Sequence, residues 1–69
     1  MKKKYFVHKE RLASGEHEVH GEDCSWIASE EERIYLGEYY CCKPAIEEAK
    51  KHYFQVNGCY ACCNECHKD

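Results

Sequence analysis

Near the end of the chain the sequence reads Cys59-Tyr60-Ala61-Cys62-Cys63-Asn64-Glu65-Cys66-His67. This segment holds two consecutive C-x-x-C pairs, in which two residues separate each cysteine from its partner. A turn of this kind lets two thiolates bind one metal ion at about 2.3 Å, while backbone N–H groups donate to the sulfur atoms. The segment therefore predicts a metal site that fixes this part of the fold.

A second pair of metal-binding residues lies far upstream, where three residues separate His20 from Cys24. Two pairs that are distant in sequence can together complete the tetrahedron that zinc prefers in proteins. We therefore predict one zinc ion bound by four of six candidate ligands, which are His20, Cys24, Cys59, Cys62, Cys63 and Cys66.

The sequence leaves open which of the two C-x-x-C pairs binds the ion. Adjacent Cys62 and Cys63 leave neighbouring backbone positions in different directions, so only one of them is expected to face a single metal ion. Our first choice joins His20 and Cys24 to Cys59 and Cys62, and the competing register uses Cys63 and Cys66.

The remaining cysteines and histidines have simpler interpretations. Cys41 is predicted to be a small buried apolar residue, whereas Cys42 could cap the following helix or face the ion. His67 directly follows Cys66, so the two are not expected to bind the same ion. The other histidines are predicted to lie on the surface, namely His8, His17 and His52.

The chain has 69 residues, and we expect a single small metal-binding domain over residues 1–69. Such a chain buries roughly 60% of its unfolded surface and usually needs disulfides, a metal or oligomerisation to be stable. Its seven cysteines are an odd number, so a complete disulfide framework would leave one thiol unpaired, whereas a metal site does not depend on parity.

The start of the chain does not resemble a secretory signal. Only the short apolar run at residues 5–7 follows the initial lysines, and a signal needs about 7–15 apolar residues. We therefore expect a cytoplasmic protein without a membrane span, in which thiols stay reduced or bind metal.

Charge is distributed unevenly along this chain, whose formal net charge is -3. Its basic residues concentrate in the first 15 positions, and the remainder is acidic. Nucleic acid is normally bound by a basic face, so it is disfavoured as a partner. We expect residues 1–4 to be frayed and the chain to be a monomer.

Short strands and one helix account for most of the chain. Residues 5–7 and 17–20 are predicted to be short strands on either side of a turn at Ser14-Gly15. The clearest strand covers residues 33–39, with a bulge near Gly37.

A helix is predicted to begin after Cys42, because Pro44 suits its first turn and apolar residues recur at helical spacing at Ala45, Ile46, Ala49 and Tyr53. Asn57-Gly58 is predicted to end this helix or to turn the chain after it. The expected fold is a small zinc-stabilised α+β domain, with short antiparallel strands packed on one helix and a C-terminal cysteine-rich turn.

This pattern resembles the small zinc-binding domain at the N-terminus of the Ada DNA-repair protein and related modules. The resemblance covers roughly residues 17–66 and lies in the ligand-x-x-x-Cys turn from His20 to Cys24, the strand around Tyr35, a helix with spaced alanines and a closing C-x-x-C pair. It implies a compact α+β domain with one zinc ion. In the Ada protein a zinc-bound cysteine accepts a methyl group from DNA, and His20 at the matching position cannot accept one.

Four protein ligands leave no position for a substrate water. The sequence therefore favours a structural zinc domain that acts as a binding or adaptor module for a protein partner, and not an enzyme. The alternative is a thiol-based redox or thiol-transfer protein that uses an unligated cysteine, Cys63 or Cys66.

Overall fold

Four strands form one mixed sheet in the computed structural model, which describes residues 1–67. They are β1 (Lys3–His8), β2 (His17–Gly21), β3 (Arg33–Tyr39) and β4 (Val56–Gly58). Their order across the sheet is β3-β1-β2-β4; β1 pairs antiparallel with β2 and β3, and β4 pairs parallel with β2. The helix α1 (Cys42–Ala49) and 3-10 turns at Glu30–Glu32 and Asn64–Cys66 complete the described elements. The predicted α+β fold is confirmed.

One face of the sheet packs against α1 because apolar side chains alternate along its strands. Tyr5 and Val7 of β1 and Val19 of β2 are buried on this face. The helix contributes Ala45 and Ala49, both fully buried, and these small residues let its backbone lie close to the strands. Among residues 1–67, no helix has the length and apolar character needed to span a bilayer.

The bulge predicted near Gly37 is confirmed. Tyr5 pairs with Gly37, but the next residue, Phe6, pairs with Tyr35, so Leu36 is the extra residue of β3. Gly37 has φ 121°, and a Cβ there would lie 2.8 Å from the Tyr39 hydroxyl oxygen. Since that hydroxyl donates to the Leu36 carbonyl at 2.7 Å, the bulge has room for glycine only.

The largest departure from expectation is at Asn57-Gly58, which lies within β4 and not in a turn. Three pairs of residues align this short strand with β2, ending with Val19 opposite Gly58. A Cβ on Gly58 would lie 2.8 Å from the Cys66 Cβ, so glycine is needed here for close approach of the C-terminal segment.

Two boundaries also differ from the prediction. β1 begins at Lys3, inside the stretch that the sequence predicts to be frayed. The helix ends at Ala49, so Tyr53 lies beyond it and stacks on the ring of His17 at a centroid distance of 3.6 Å. Tyr53 therefore packs against His17 and does not extend the apolar face of the helix.

Candidate metal centre

Four of the candidate ligands meet at one point of the fold. Nitrogen and sulfur ligand atoms of His20, Cys24, Cys59 and Cys62 all lie within 4.8 Å of one another. The Nδ1 atom of His20 lies 3.3 Å from the Cys24 sulfur and 3.7 Å from the Cys62 sulfur. The Cys24 and Cys59 sulfurs are 3.9 Å apart. This group could hold a metal ion.

The parallel pairing of β2 and β4 positions both halves of the group. His20 lies near the end of β2, and a tight turn closed by the Cys24 N–H donating to the Gly21 carbonyl at 3.1 Å places Cys24 beside it. Cys59 follows β4 directly, and its N–H donates to the Val19 carbonyl at 3.0 Å. Backbone hydrogen bonds therefore determine where each pair of ligands lies.

A second turn brings Cys62 back toward Cys59. The N–H of Cys63 donates to the Cys59 carbonyl at 2.8 Å, which closes the C-x-x-C loop. A backbone hydrogen bond from Gly21 reaches the Cys62 thiol. Such donation to sulfur is the interaction expected around a thiolate ligand.

Burial shifts the pKa of two members of the group, His20 and Cys62. The His20 side chain is fully buried; this desolvation lowers its pKa, the nearby His8 ring lowers it further, and Glu18 opposes the shift. The neutral imidazole favoured by this shift is the form that binds metals. Burial also raises the pKa of the Cys62 thiol, against the hydrogen bond from Gly21, and a bound cation would oppose this shift.

Glu18 and His8 lie behind His20, although the sequence pattern did not assign either residue to the site. The Nε2 atom of His20 is 3.3 Å from the Glu18 carboxylate, but the contact falls outside hydrogen-bond geometry, and this nitrogen has no hydrogen-bond partner among residues 1–67. Glu18 and His20 are two positions apart on one strand, so strand alternation places them on one face of β2. The two-residue spacing of Glu18 and His20 is the sequence pattern from which this contact could have been predicted.

His8 also differs from its predicted surface position. Its ring is half-buried and lies 4.3 Å, centroid to centroid, from the His20 ring. Its Nε2 atom accepts a hydrogen bond from the Ala28 N–H at 2.9 Å, which occupies that nitrogen. His8, Glu18 and His20 form a second, smaller group of potential ligands, but it shares His20 with the first.

The structure places the competing pair elsewhere. Cys66 is joined to Cys42 by a disulfide, and Cys63 is buried outside the four-residue group, with its sulfur 3.8 Å from that of Cys62. Burial raises the pKa of the Cys63 thiol. The expectations for both neighbouring cysteines are wrong, because Cys41 is partly exposed and not buried, and Cys42 is buried in the first turn of α1 and bonded to Cys66.

Replacing one ligand tests the group directly. With Zn²⁺ as the probe ion, Cys24→Ser is expected to weaken binding by about 100-fold or more, since a hydroxyl is a poor substitute for one of four candidate ligands that would share roughly 10 kcal/mol or more. Competition titration with a chromophoric chelator measures this loss. The matched control is Cys41→Ser, which lies outside the group and should leave the affinity unchanged; equal affinities of the two variants would contradict the assignment.

Glu18→Gln tests the contact behind His20. The glutamine keeps an acceptor oxygen but lacks the negative charge that would strengthen a hydrogen bond from the His20 Nε2–H and orient the ring, and affinity for the probe ion Zn²⁺ is expected to fall by about 10-fold. Glu38→Gln, which changes an exposed carboxylate of β3, serves as the control in the same titration. Indistinguishable affinities would show that Glu18 does not orient His20.

No family model, curated protein or solved structure matches this chain. The resemblance to the Ada-type zinc-binding domain therefore stays a prediction that rests on the residues themselves.

Proposed function

We propose that this chain is a small structural zinc-binding domain that serves as a protein-binding or adaptor module. The observation that carries the proposal is the convergence of four ligand atoms, from two segments distant in sequence, within 4.8 Å of one another.

The donor set and its spacing both suit zinc. Three thiolates and one imidazole are typical ligands of structural zinc. With Zn–S near 2.3 Å and Zn–N near 2.0–2.1 Å, a regular tetrahedron has S···S edges of about 3.8 Å and N···S edges of about 3.5 Å. The distances of 3.9 Å from Cys24 to Cys59 and of 3.3 and 3.7 Å from His20 to two sulfurs are close to these edges.

A structural role follows from the number and burial of the ligands. Four protein ligands complete the zinc coordination shell and leave no open position for a substrate water. Zinc binding free energy becomes folding free energy when the site does not exist in the unfolded chain, and it amounts to roughly 10 kcal/mol or more. This exceeds what a core of this size supplies alone.

Aromatic side chains on the outer face of the sheet support a binding role. Phe6 alternates with the buried Tyr5 and Val7, so it lies on the face opposite α1. Its ring is 5.4 Å from that of Tyr35, which is 52% exposed, and the Arg33 guanidinium lies 4.3 Å above it. Aromatic residues and arginine are enriched at protein–protein interfaces, so this aromatic face, formed by Phe6, Arg33 and Tyr35, is the proposed partner surface.

The thiol-transfer alternative is less well supported. Cys63 is only 2% exposed and its thiol pKa is raised by burial, whereas reactive cysteines are accessible and have a lowered pKa. Cys66 is engaged in the disulfide with Cys42.

Removal of zinc tests the structural part of the proposal. A chelator is expected to abolish the cooperative thermal transition and collapse the amide dispersion in a proton–nitrogen NMR spectrum, because the free energy that closes the fold is withdrawn. Addition of Zn²⁺ should restore both signals. Chelated, metal-free protein that keeps its cooperative melt would refute a structural role for the metal.

The binding part is tested by substitution on the aromatic face. Tyr35→Ala is expected to retain zinc and thermal stability but to lose a protein partner that the unaltered chain captures reproducibly. Phe54→Ala removes a ring that is 95% exposed away from this face and should retain the partner. Absence of any reproducible partner, or equal capture by both variants, would count against the proposed surface.

A further inference from the structure

Three cysteines outside the metal centre also converge. Cys42 is the first residue of α1 and is joined to Cys66 by a disulfide. Cys63 and Cys66 approach the same point of β4, because their Cβ atoms lie 3.1 and 2.8 Å from the position that a Cβ on Gly58 would occupy. The start of the helix, the end of β4 and the C-terminal turn therefore bring three sulfur-bearing side chains together.

Backbone hydrogen bonds close both C-x-x-C segments, although one bond spans four residues and the other spans three. The N–H of Cys66 donates to the Cys63 carbonyl at 2.9 Å, and that of Cys63 donates to the Cys59 carbonyl at 2.8 Å. Each C-x-x-C segment is thus closed by its own hydrogen-bonded turn. In the first group the partner pair comes from β2 and the turn after it, whereas in the second the additional cysteine comes from α1.

We propose that reduction of the Cys42–Cys66 disulfide converts Cys42, Cys63 and Cys66 into a second binding site for Zn²⁺, distinct from the site at His20. This site goes beyond the proposed structural function, which needs only the first ion. Three thiolates and a water molecule would supply the four ligands.

The Cβ positions allow the three thiolates to reach one ion, although the Cys63 side chain, whose sulfur now lies 3.8 Å from that of Cys62, would have to rotate toward Cys66. Two thiolates on one zinc ion are about 3.8 Å apart, so the bonded sulfurs of Cys42 and Cys66 need only separate by side-chain rotation. Their Cα atoms are already 6.4 Å apart. Cys42 and Cys63 are each 2% exposed, and burying three thiolates is costly unless a cation neutralises them.

Conversion of the disulfide into a zinc site takes two separate steps, reduction of the S–S bond and binding of the ion. A thiol reductant delivers two electrons and two protons, which break the S–S bond and leave thiols on Cys42 and Cys66, while the reductant becomes its own disulfide. A phosphine reductant also leaves two thiols. In that reaction water supplies the two protons, and its oxygen atom ends in the phosphine oxide. Zinc binding then releases the protons of the three thiols to solvent.

Native mass spectrometry of the full chain tests the proposal. With Zn²⁺ as the probe, protein that retains the disulfide is expected to bind one ion, and protein treated with a phosphine reductant is expected to bind two. Cys63→Ser should bind one ion in both states. Cys41→Ser, a neighbouring cysteine outside both groups, should match the unaltered chain.

Alkylation mapped by peptide mass spectrometry gives a readout that needs no variant. In the reduced chain the partly exposed Cys66 is expected to be alkylated in the presence of one equivalent of Zn²⁺ and protected by two equivalents. Equal labelling at one and two equivalents would overturn the second site.

The number of bound zinc ions distinguishes failure of this proposal from failure of the proposed function. One ion in both redox states, or two ions in reduced Cys63→Ser, overturns the second site and leaves the first intact. No bound zinc in either state overturns both proposals.

Discussion

The parallel pairing of β4 with β2 is the contact on which the arrangement of the candidate metal ligands depends. It places Gly58 opposite Val19 and lets the Cys59 N–H donate to the Val19 carbonyl. His20 lies on one side of this contact and Cys59 on the other, so two segments far apart in the chain reach a common point. A strand this short contributes little stability by itself, and cross-linking by a shared metal ion would compensate for that.

Much of this architecture could be predicted from local sequence patterns. The helix beginning near Cys42, the strand at residues 33–39 and the bulge near Gly37 follow from spacing and residue type. The four residues that converge at the candidate metal centre are those preferred from spacing, and their binding of a metal stays a prediction. In each case the information lies in a few neighbouring residues or in ligand chemistry that does not depend on the detailed fold.

The features that could not be predicted depend on contacts between distant residues. Asn57 and Gly58 have low strand propensity, and only pairing with β2 makes them a strand. Nothing local distinguishes Cys41 from Cys42, because which of them is buried depends on how the first turn of α1 meets the C-terminal segment. Glu18 could have been found from its alternation with His20, but His8 reaches the same site only through the pairing of β1 with β2.

The stack of His17 on Tyr53 has a consequence for strand register. His17 opens β2, its N–H donates to the Gln55 carbonyl at 2.9 Å, and its ring is stacked on the tyrosine that precedes β4. These contacts hold the chain at the point where β4 begins. A slip of one residue at this point would turn every following side chain to the opposite face. The aromatic stack therefore helps to fix the register of the segment that carries Cys59.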